Sequence, residues 1–204
     1  MTFEGIDKSG KTTQAALLAE KLRKKGRDVV FTQEPGGTEL GREIRHLVLG
    51  WRPRAAVVAL AEMLLFAADR AQHVAEVIRP ALEAGKVVIS NRFVDSTTAY
   101  QGYGRGMDLG QLRAIQEVAS DGLRPDLTVL IDIDVATSRE RGGASDRLEA
   151  ENDLFFERIR EGYLALGRTD PNRIFRVEGH LSVEVVSQHI YAEVSNRLGL
   201  DNRL

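Results

Sequence analysis

The sequence predicts an α/β protein, a three-layer α/β/α arrangement around a central five-stranded parallel sheet. Three observations carry that expectation. Short runs rich in Val, Ile and Leu alternate along the chain with longer stretches whose apolar residues recur at helical spacing. That order of strands and helices argues a mainly parallel sheet covered on both faces. The third observation is a glycine-rich turn, Gly5 to Thr12, set between the first strand and the first helix. At 204 residues the chain holds one substantial core, so residues 1–204 are expected to form a single domain.

Taken in order, Thr2 to Glu4 ends a short strand and Lys11 to Lys25 is a helix with Leu17, Leu18 and Leu22 on one stripe. Between them Gly5, four residues, then Gly10, Lys11 and Thr12 complete the phosphate-binding pattern G-x-x-x-x-G-K-[ST]. The glycines let the backbone curl so that successive N–H groups, from Ser9 to Thr13, face an anion at a helix N-terminus. In that pattern Lys11 reaches the β and γ phosphates and the Thr12 hydroxyl ligates Mg²⁺. A nucleotide with β and γ phosphates, together with Mg²⁺, is therefore the expected ligand.

Asp28 to Thr32 reads as a second strand, followed by the turn EPGGT at Glu34 to Thr38, where Thr38 can cap a helix over Leu40 to Leu49. Ala55 to Ala84 is helical, with Glu62, Asp69 and Arg70 on its polar positions and a bend or a boundary at Pro80. Its apolar content fits either full burial or a helix-mediated homodimer. Lys86 to Ser90 is a third strand with Asn91, Arg92 and Phe93 at its carboxyl end, where ligands bind in open α/β sheets. The glycine-rich Gln101 to Gly106 is expected to be a loop, and Asp108 to cap a helix ending at Ser120. Strands at Leu127 to Ile131 and Arg173 to Val177, with helices at Glu149 to Leu166 and Val183 to Leu198, complete the pattern. Asp132 and Asp134, after the fourth strand, read either as a pair bearing on Mg²⁺ or as residues that only finish the strand, and the second reading is favoured.

Composition excludes several classes. A net charge of -2 gives no global attraction to a nucleic acid polymer or an anionic membrane. Without cysteine there is no disulfide framework and no thiolate zinc site, and four scattered histidines offer no replacement. The longest apolar-rich region, Ala55 to Ala68, is interrupted by Glu62 and falls short of a membrane span. The N-terminus enters the phosphate loop almost at once, so the expected location is cytoplasmic.

A phosphate loop names a nucleotide user and leaves the reaction open. Arg45, Arg70 and Arg92 lie beyond what one triphosphate needs, and Arg139, Arg141 and Arg147 surround a glycine pair within a segment at about 137–150. Such a segment resembles a closing lid that excludes water from the transferring phosphoryl. A second, anionic substrate follows.

Five stretches, FEGIDKSGKTTQ, EPGGT, LLFAADRAQH, NRFVDSTTAYQGYGRG and DRLEAENDLFFERIREGY, resemble in their order the thymidylate kinase family, in its bacterial branch. That resemblance covers nearly the whole chain. It implies a P-loop nucleoside monophosphate kinase-like fold, a homodimer, and transfer of the ATP γ-phosphoryl to thymidine monophosphate (dTMP). It also implies roles: Phe66 stacks on thymine, Arg70 and Gln101 read the base, and Thr97 and Thr98 lie on the same wall. Tyr100 and Tyr103 line the sugar, Arg45 and Arg92 hold the acceptor phosphate, and Glu34 lies near the sugar and phosphate. Asp7 stands beside the acceptor phosphate and metal, Arg139 over the adenine, Arg147 is a catalytic lid arginine, and Arg141 assists.

Two positions depart from the family pattern. Asn91 stands where the family usually has an aspartate, which keeps size and loses charge, and Lys8 stands where bacterial members have glycine. Lys8 reads either as a contact to the transferred phosphoryl or as a solvent-facing side chain. Two other functions fit the same residues: a kinase for another or a broad range of nucleoside monophosphates, and a nucleotide-binding module that has lost transfer.

Overall fold

The computed structural model describes residues 1–50, 57–142 and 146–200. The expected start of the long helix at Ala55 and the Gly143 part of the lid lie outside the described residues. Five strands form one parallel sheet: β1 (Thr2–Glu4), β2 (Val29–Gln33), β3 (Val87–Asn91), β4 (Thr128–Asp132) and β5 (Ile174–Glu178), in the order β2-β3-β1-β4-β5. The helices among the described residues are α1 (Lys11–Lys24), α2 (Glu39–Arg45), α3 (Ala59–His73), α4 (Arg79–Glu83), α5 (Val94–Thr97), α6 (Leu109–Ser120), α7 (Val135–Glu140), α8 (Asp153–Thr169) and α9 (Val183–Leu198).

Residue alternation along each strand divides the core. On β4, Val129 and Ile131 join Leu18 and Leu22 of α1 and Val186, Ile190 and Val194 of α9, while Leu130 faces Phe155, Phe156 and Ile159 of α8. All of β4 is buried, which is why it reads as a continuous apolar run. A third cluster puts Val74, Ile78 and Ala81 against Val88 of β3 and Phe93. Ser182 caps α9, Asp108 caps α6 and Thr38 caps α2, each accepting from a backbone N–H three residues on.

Strands β2 to β5 end one residue later than expected, so Asn91 is a strand residue paired beside Phe3 of β1. A boundary does lie ahead of Pro80: Val74–Ile78 widens into π-helical turns and α4 begins at Arg79, where the missing N–H of Pro80 in the first turn costs least. Asp132 does finish a strand; its carboxylate is paired to Arg160 and Arg176, and Asp134 caps α7. The expected loop at Gln101 to Gly106 is a correction, because Thr98–Gly104 is π-helical. Glycine serves close packing there. A Cβ at Gly102 would lie 2.6 Å from Leu109, and one at Gly104 would lie 2.8 Å from Phe155 of α8.

Gly104→Ala should therefore force α8 outward and cost about 1–3 kcal/mol. In urea unfolding the midpoint should fall with an unchanged slope. An unchanged midpoint would mean that this helix contact is not tight.

Candidate active site

The carboxyl ends of β1, β2 and β3 open onto a cleft of about 470 Å³. The phosphate loop forms one end, through Asp7, Lys8, Gly10, Lys11, Thr12 and Thr13. Gly10 has φ 101°, a left-handed conformation that L side chains rarely adopt, and leads directly into α1. Gly5 and Ser9 do not line the cleft; they shape the loop instead. A Cβ on Gly5 would lie 2.4 Å from the Ile131 carbonyl oxygen, so only glycine lets the loop cross β4. Lys11 Nζ donates to the Ile6 carbonyl at 2.7 Å. Burial, with Arg92 adding repulsion, pulls its pKa down to about 7.

The middle of the cleft belongs to Arg92. Its φ of 72° is a strained left-handed conformation for arginine, held by contacts on every side. The guanidinium donates to Asp7 at 2.5 Å, to Tyr100 Oη at 2.9 Å, to Ser96 Oγ at 3.0 Å and to Tyr163 Oη at 3.2 Å. Tyr100 in turn donates to Asp7 at 2.8 Å, and the arginine lies over the Tyr100 ring. Burial opposes the charge on Asp7, but Arg92 and Lys11 outweigh it and hold the carboxyl below its usual range. Beneath them Glu4 accepts from Phe93 N, Ser96 Oγ and Tyr163 Oη, and burial beside Asp95 pushes its pKa up to about 7.

Asn91 Nδ2 donates to Thr12 Oγ1 at 2.9 Å, while Asn91 Oδ1 is buried with no hydrogen-bond partner among the described residues. An uncommitted oxygen beside the Thr12 hydroxyl fits a hard cation such as Mg²⁺. Both Asp7 oxygens are already engaged by Arg92 and Tyr100.

The far end of the cleft is built on α3. Phe66 and Arg70 lie one turn apart on one face, and both line the cleft. Arg70 donates through Nε to Glu34 at 2.9 Å and through Nη2 to Thr97 at 3.1 Å, and its Nη1 is buried without a partner among the described residues. It makes no surface pair with Asp69, whose carboxylate instead accepts from Gly36 N. His73 holds Glu34 from the other side at 2.9 Å and bonds Thr32 at 2.6 Å. Arg45 donates to the Pro35 carbonyl, which places its charge at the mouth beside Gln33 and Glu34. Gln101 lines the same wall, with Nε2 bonded to Glu62.

Several expected residues lie elsewhere. Thr98 faces α6, accepting from Gln116, and Tyr103 packs its ring over Gly162 of α8; both line a separate depression. These two positions correct the expectation that they line the cleft, because the helical turns at Thr98–Gly104 turn Tyr100 and Gln101 toward it and Thr98 and Tyr103 away from it. Arg139 lies over Phe156 and bonds Asp153, Glu149 O and Glu151 O. Arg141 bonds the Lys8 and Gly179 carbonyls, and Arg147 bonds Val48 O and Glu62. None of the three arginines lines the cleft in this conformation. Lys8 pairs with Glu149 at 3.3 Å, and both line the cleft. Glu4, Ser96, Glu62 and Tyr163 were missed as site residues, since a lone carboxylate or hydroxyl gives no signal until its partners are known.

The thymidylate kinase family model matches residues 3–190. A thymidylate kinase of Synechococcus sp. (strain JA-2-3B'a(2-13)) is 46% identical over 200 residues, covering 98% of this chain and 96% of that protein. One from Leifsonia xyli subsp. xyli is 48% identical over 202 residues, covering 97% and 95% respectively. The crystal structure of thymidylate kinase from Ehrlichia chaffeensis superposes with a TM-score of 0.78 at 34% identity, covering 95% of this chain and 96% of that one. With a phosphate loop facing an arginine-lined second site across one cleft, and with this likeness along its whole length, the chain belongs to the thymidylate kinase family.

Proposed function

We propose that this enzyme transfers the γ-phosphoryl group of ATP directly, in line, to the 5′-phosphate of dTMP, giving ADP and thymidine diphosphate. The observation that carries the reading is Arg92, which stands between the phosphate loop and the α3 wall in a single cleft. Two anions brought together there meet a fixed positive charge between them, which compensates the charge that spreads over the transferring group. No covalent intermediate is needed, since positioning and charge stabilisation account for the reaction.

The phosphate loop, with Lys11 and the N-terminus of α1, holds the ATP phosphates. Phe66 offers its ring face to thymine, Arg70 Nη1 and Gln101 offer polar contacts to the base edge, and Arg45 and Arg92 take the acceptor phosphate. Glu34, already bonded to Arg70 and His73, keeps Arg70 in place. Tyr100 and Thr97 lie along the same wall. Asp7 orients Arg92. Thr12 and Asn91 would hold Mg²⁺ with the nucleotide; when bound, the ion neutralises charge on the phosphates.

Segments 137–142 and 146–150 act as a lid. Arg147 swings from Glu62 toward the phosphoryl group, Arg139 covers adenine, Arg141 assists, and Lys8 leaves Glu149 for the phosphates. Val58, Leu60 and Leu64 are exposed along α3, with Leu60 and Leu64 one turn apart, a face that fits a second copy of the chain in a homodimer. As a user of soluble nucleotides, the enzyme is placed in the cytoplasm. Among the described residues no helix is long and apolar enough to cross a membrane.

Phe66→Ala should raise the KM for dTMP at least about tenfold with a smaller change in kcat, because it removes acceptor binding. Arg92→Ala should lower kcat by about a hundredfold or more, because it removes charge stabilisation. Steady-state kinetics on both variants checks this division, and equal losses in both parameters for both variants would contradict it.

The Lys11 pKa of about 7 gives a pH dependence. Above pH 7 the amine is largely neutral in the free enzyme, and phosphates placed against it restore the ammonium. ATP binding at pH 8 should therefore take up a proton, and affinity should weaken as pH rises from 7 to 9. Calorimetric titration in buffers of different ionisation enthalpy measures the uptake; a buffer-independent heat would contradict it.

A further inference from the structure

One carboxylate lies inside the wall between the acceptor cleft and the lid. Glu62, in the first turn of α3, is wholly buried and yet accepts from three side chains. Gln101 Nε2 donates to Oε1 at 2.9 Å, Arg147 Nη2 donates to Oε2 at 2.5 Å, and Arg105 donates to both oxygens at 3.3 Å. Burial alone would push the carboxyl up; the bonds from Gln101, Arg105 and Arg147 outweigh it and hold the group below its usual range.

An ionised carboxylate only accepts hydrogen bonds, whereas a primary amide has a donor end and an acceptor end. Facing Glu62, Gln101 must turn its NH₂ inward. The carbonyl is then the end left for the cleft that Gln101 lines. Beside a neutral neighbour the amide could settle either way round. Stability does not account for the arrangement, because a buried ion pair is often no better than packed apolar residues. Position does: Glu62, Phe66 and Arg70 recur at every fourth residue on one helix, so the group that orients Gln101 is fixed to the base platform.

We propose that Glu62 is a positioning residue for base selection: by holding the Gln101 carbonyl toward the cleft it favours a pyrimidine with N–H at ring position 3, as in thymine, over one with a bare nitrogen there, as in cytosine. This rests on the dTMP reading above. A carbonyl facing a bare ring nitrogen sets two acceptors against each other, and a site built around one hydrogen-bond polarity rejects the other strongly.

The test compares kcat/KM for dTMP, deoxyuridine monophosphate and deoxycytidine monophosphate in the wild type, Glu62→Gln, Gln101→Ala and the double variant, alongside their melting temperatures. Glu62→Gln should reduce the preference for dTMP over deoxycytidine monophosphate about tenfold, the loss of roughly one oriented hydrogen bond. Deoxyuridine monophosphate should follow dTMP, since it carries the same N–H. In the Gln101→Ala background the second substitution should leave the ratio unchanged. An active Glu62→Gln enzyme with the wild-type ratio, or one losing all acceptors equally, would overturn the proposal.

If Glu62→Gln does not fold, binding of dTMP and its N3-methyl derivative to the wild type and to Gln101→Ala decides. The methylated ligand should bind the wild type at least about tenfold more weakly, with the gap closing in Gln101→Ala. Equal binding to the wild type, or a gap that persists in Gln101→Ala, would overturn the proposal. Wild-type transfer only to acceptors other than dTMP would instead fail the functional reading, and it would show before any variant was made.

Discussion

Arg92 and Asp7 meet because β1 and β3 are adjacent and parallel, with Phe3 level with Asn91. Each chain leaves its strand at the same edge, one into the phosphate loop and one into Arg92. The left-handed backbone at Arg92 then turns the side chain back over the loop, where Asp7, Tyr100, Ser96 and Tyr163 receive it. Burial works against a charge there, but the surrounding phenols and carboxylates outweigh it and keep the guanidinium protonated. The same cluster fixes the loop: Asp7 is held from both carboxylate oxygens, and the Asp7 carbonyl accepts from Ser138 of α7. The phosphate loop, the turn after β3 and α7 are therefore tied to one ion pair.

Helix α3 supplies the second reference. Residues recurring every fourth position place Glu62, Phe66 and Arg70 in register, and His73 closes the far end through Glu34. Around them the EPGGT turn and the first turn of α2 pack closely enough to need glycine. A Cβ at Gly37 would meet His73 at 2.5 Å, and one at Gly41 would meet Asp69 at 2.4 Å. Burial pushes the Asp69 carboxyl up to about 6, yet the group still anchors Gly36. The α3 side of the cleft thus rests on a helix braced by a turn, while Arg139 lies in the last turn of α7 and Arg141 and Arg147 follow it.

Much of the fold was legible because its signals are local: apolar period, caps at Thr38 and Asp108, and a glycine pattern that only a strand–turn–helix explains. The strand ends were off by one residue because pairing across the sheet, rather than propensity, ends a strand. Gln101–Gly106 was misread since glycine marks a turn and also marks helices packed closely; only α8 lying against Gly104 distinguishes the two. Arg70 and Gln101 reached the cleft as expected, whereas Thr98 and Tyr103 did not, because the π-helical turns redirect side chains that a loop would have left on one wall. Glu62 was legible only as a polar interruption. Its partners come from two distant segments, Gln101 with Arg105 and Arg147, which no spacing in the sequence brings to Glu62.

The most direct test of the account is acceptor-dependent ADP formation from ATP and Mg²⁺, with dTMP beside the uridine, cytidine, guanosine and adenosine monophosphates and a sample without acceptor. One cleft joining a phosphate loop to a base platform through Arg92 predicts rapid ADP formation with dTMP, far slower formation with the others, and almost none without acceptor. ADP formation at one rate whatever the acceptor, or none despite measurable ATP binding, would contradict it.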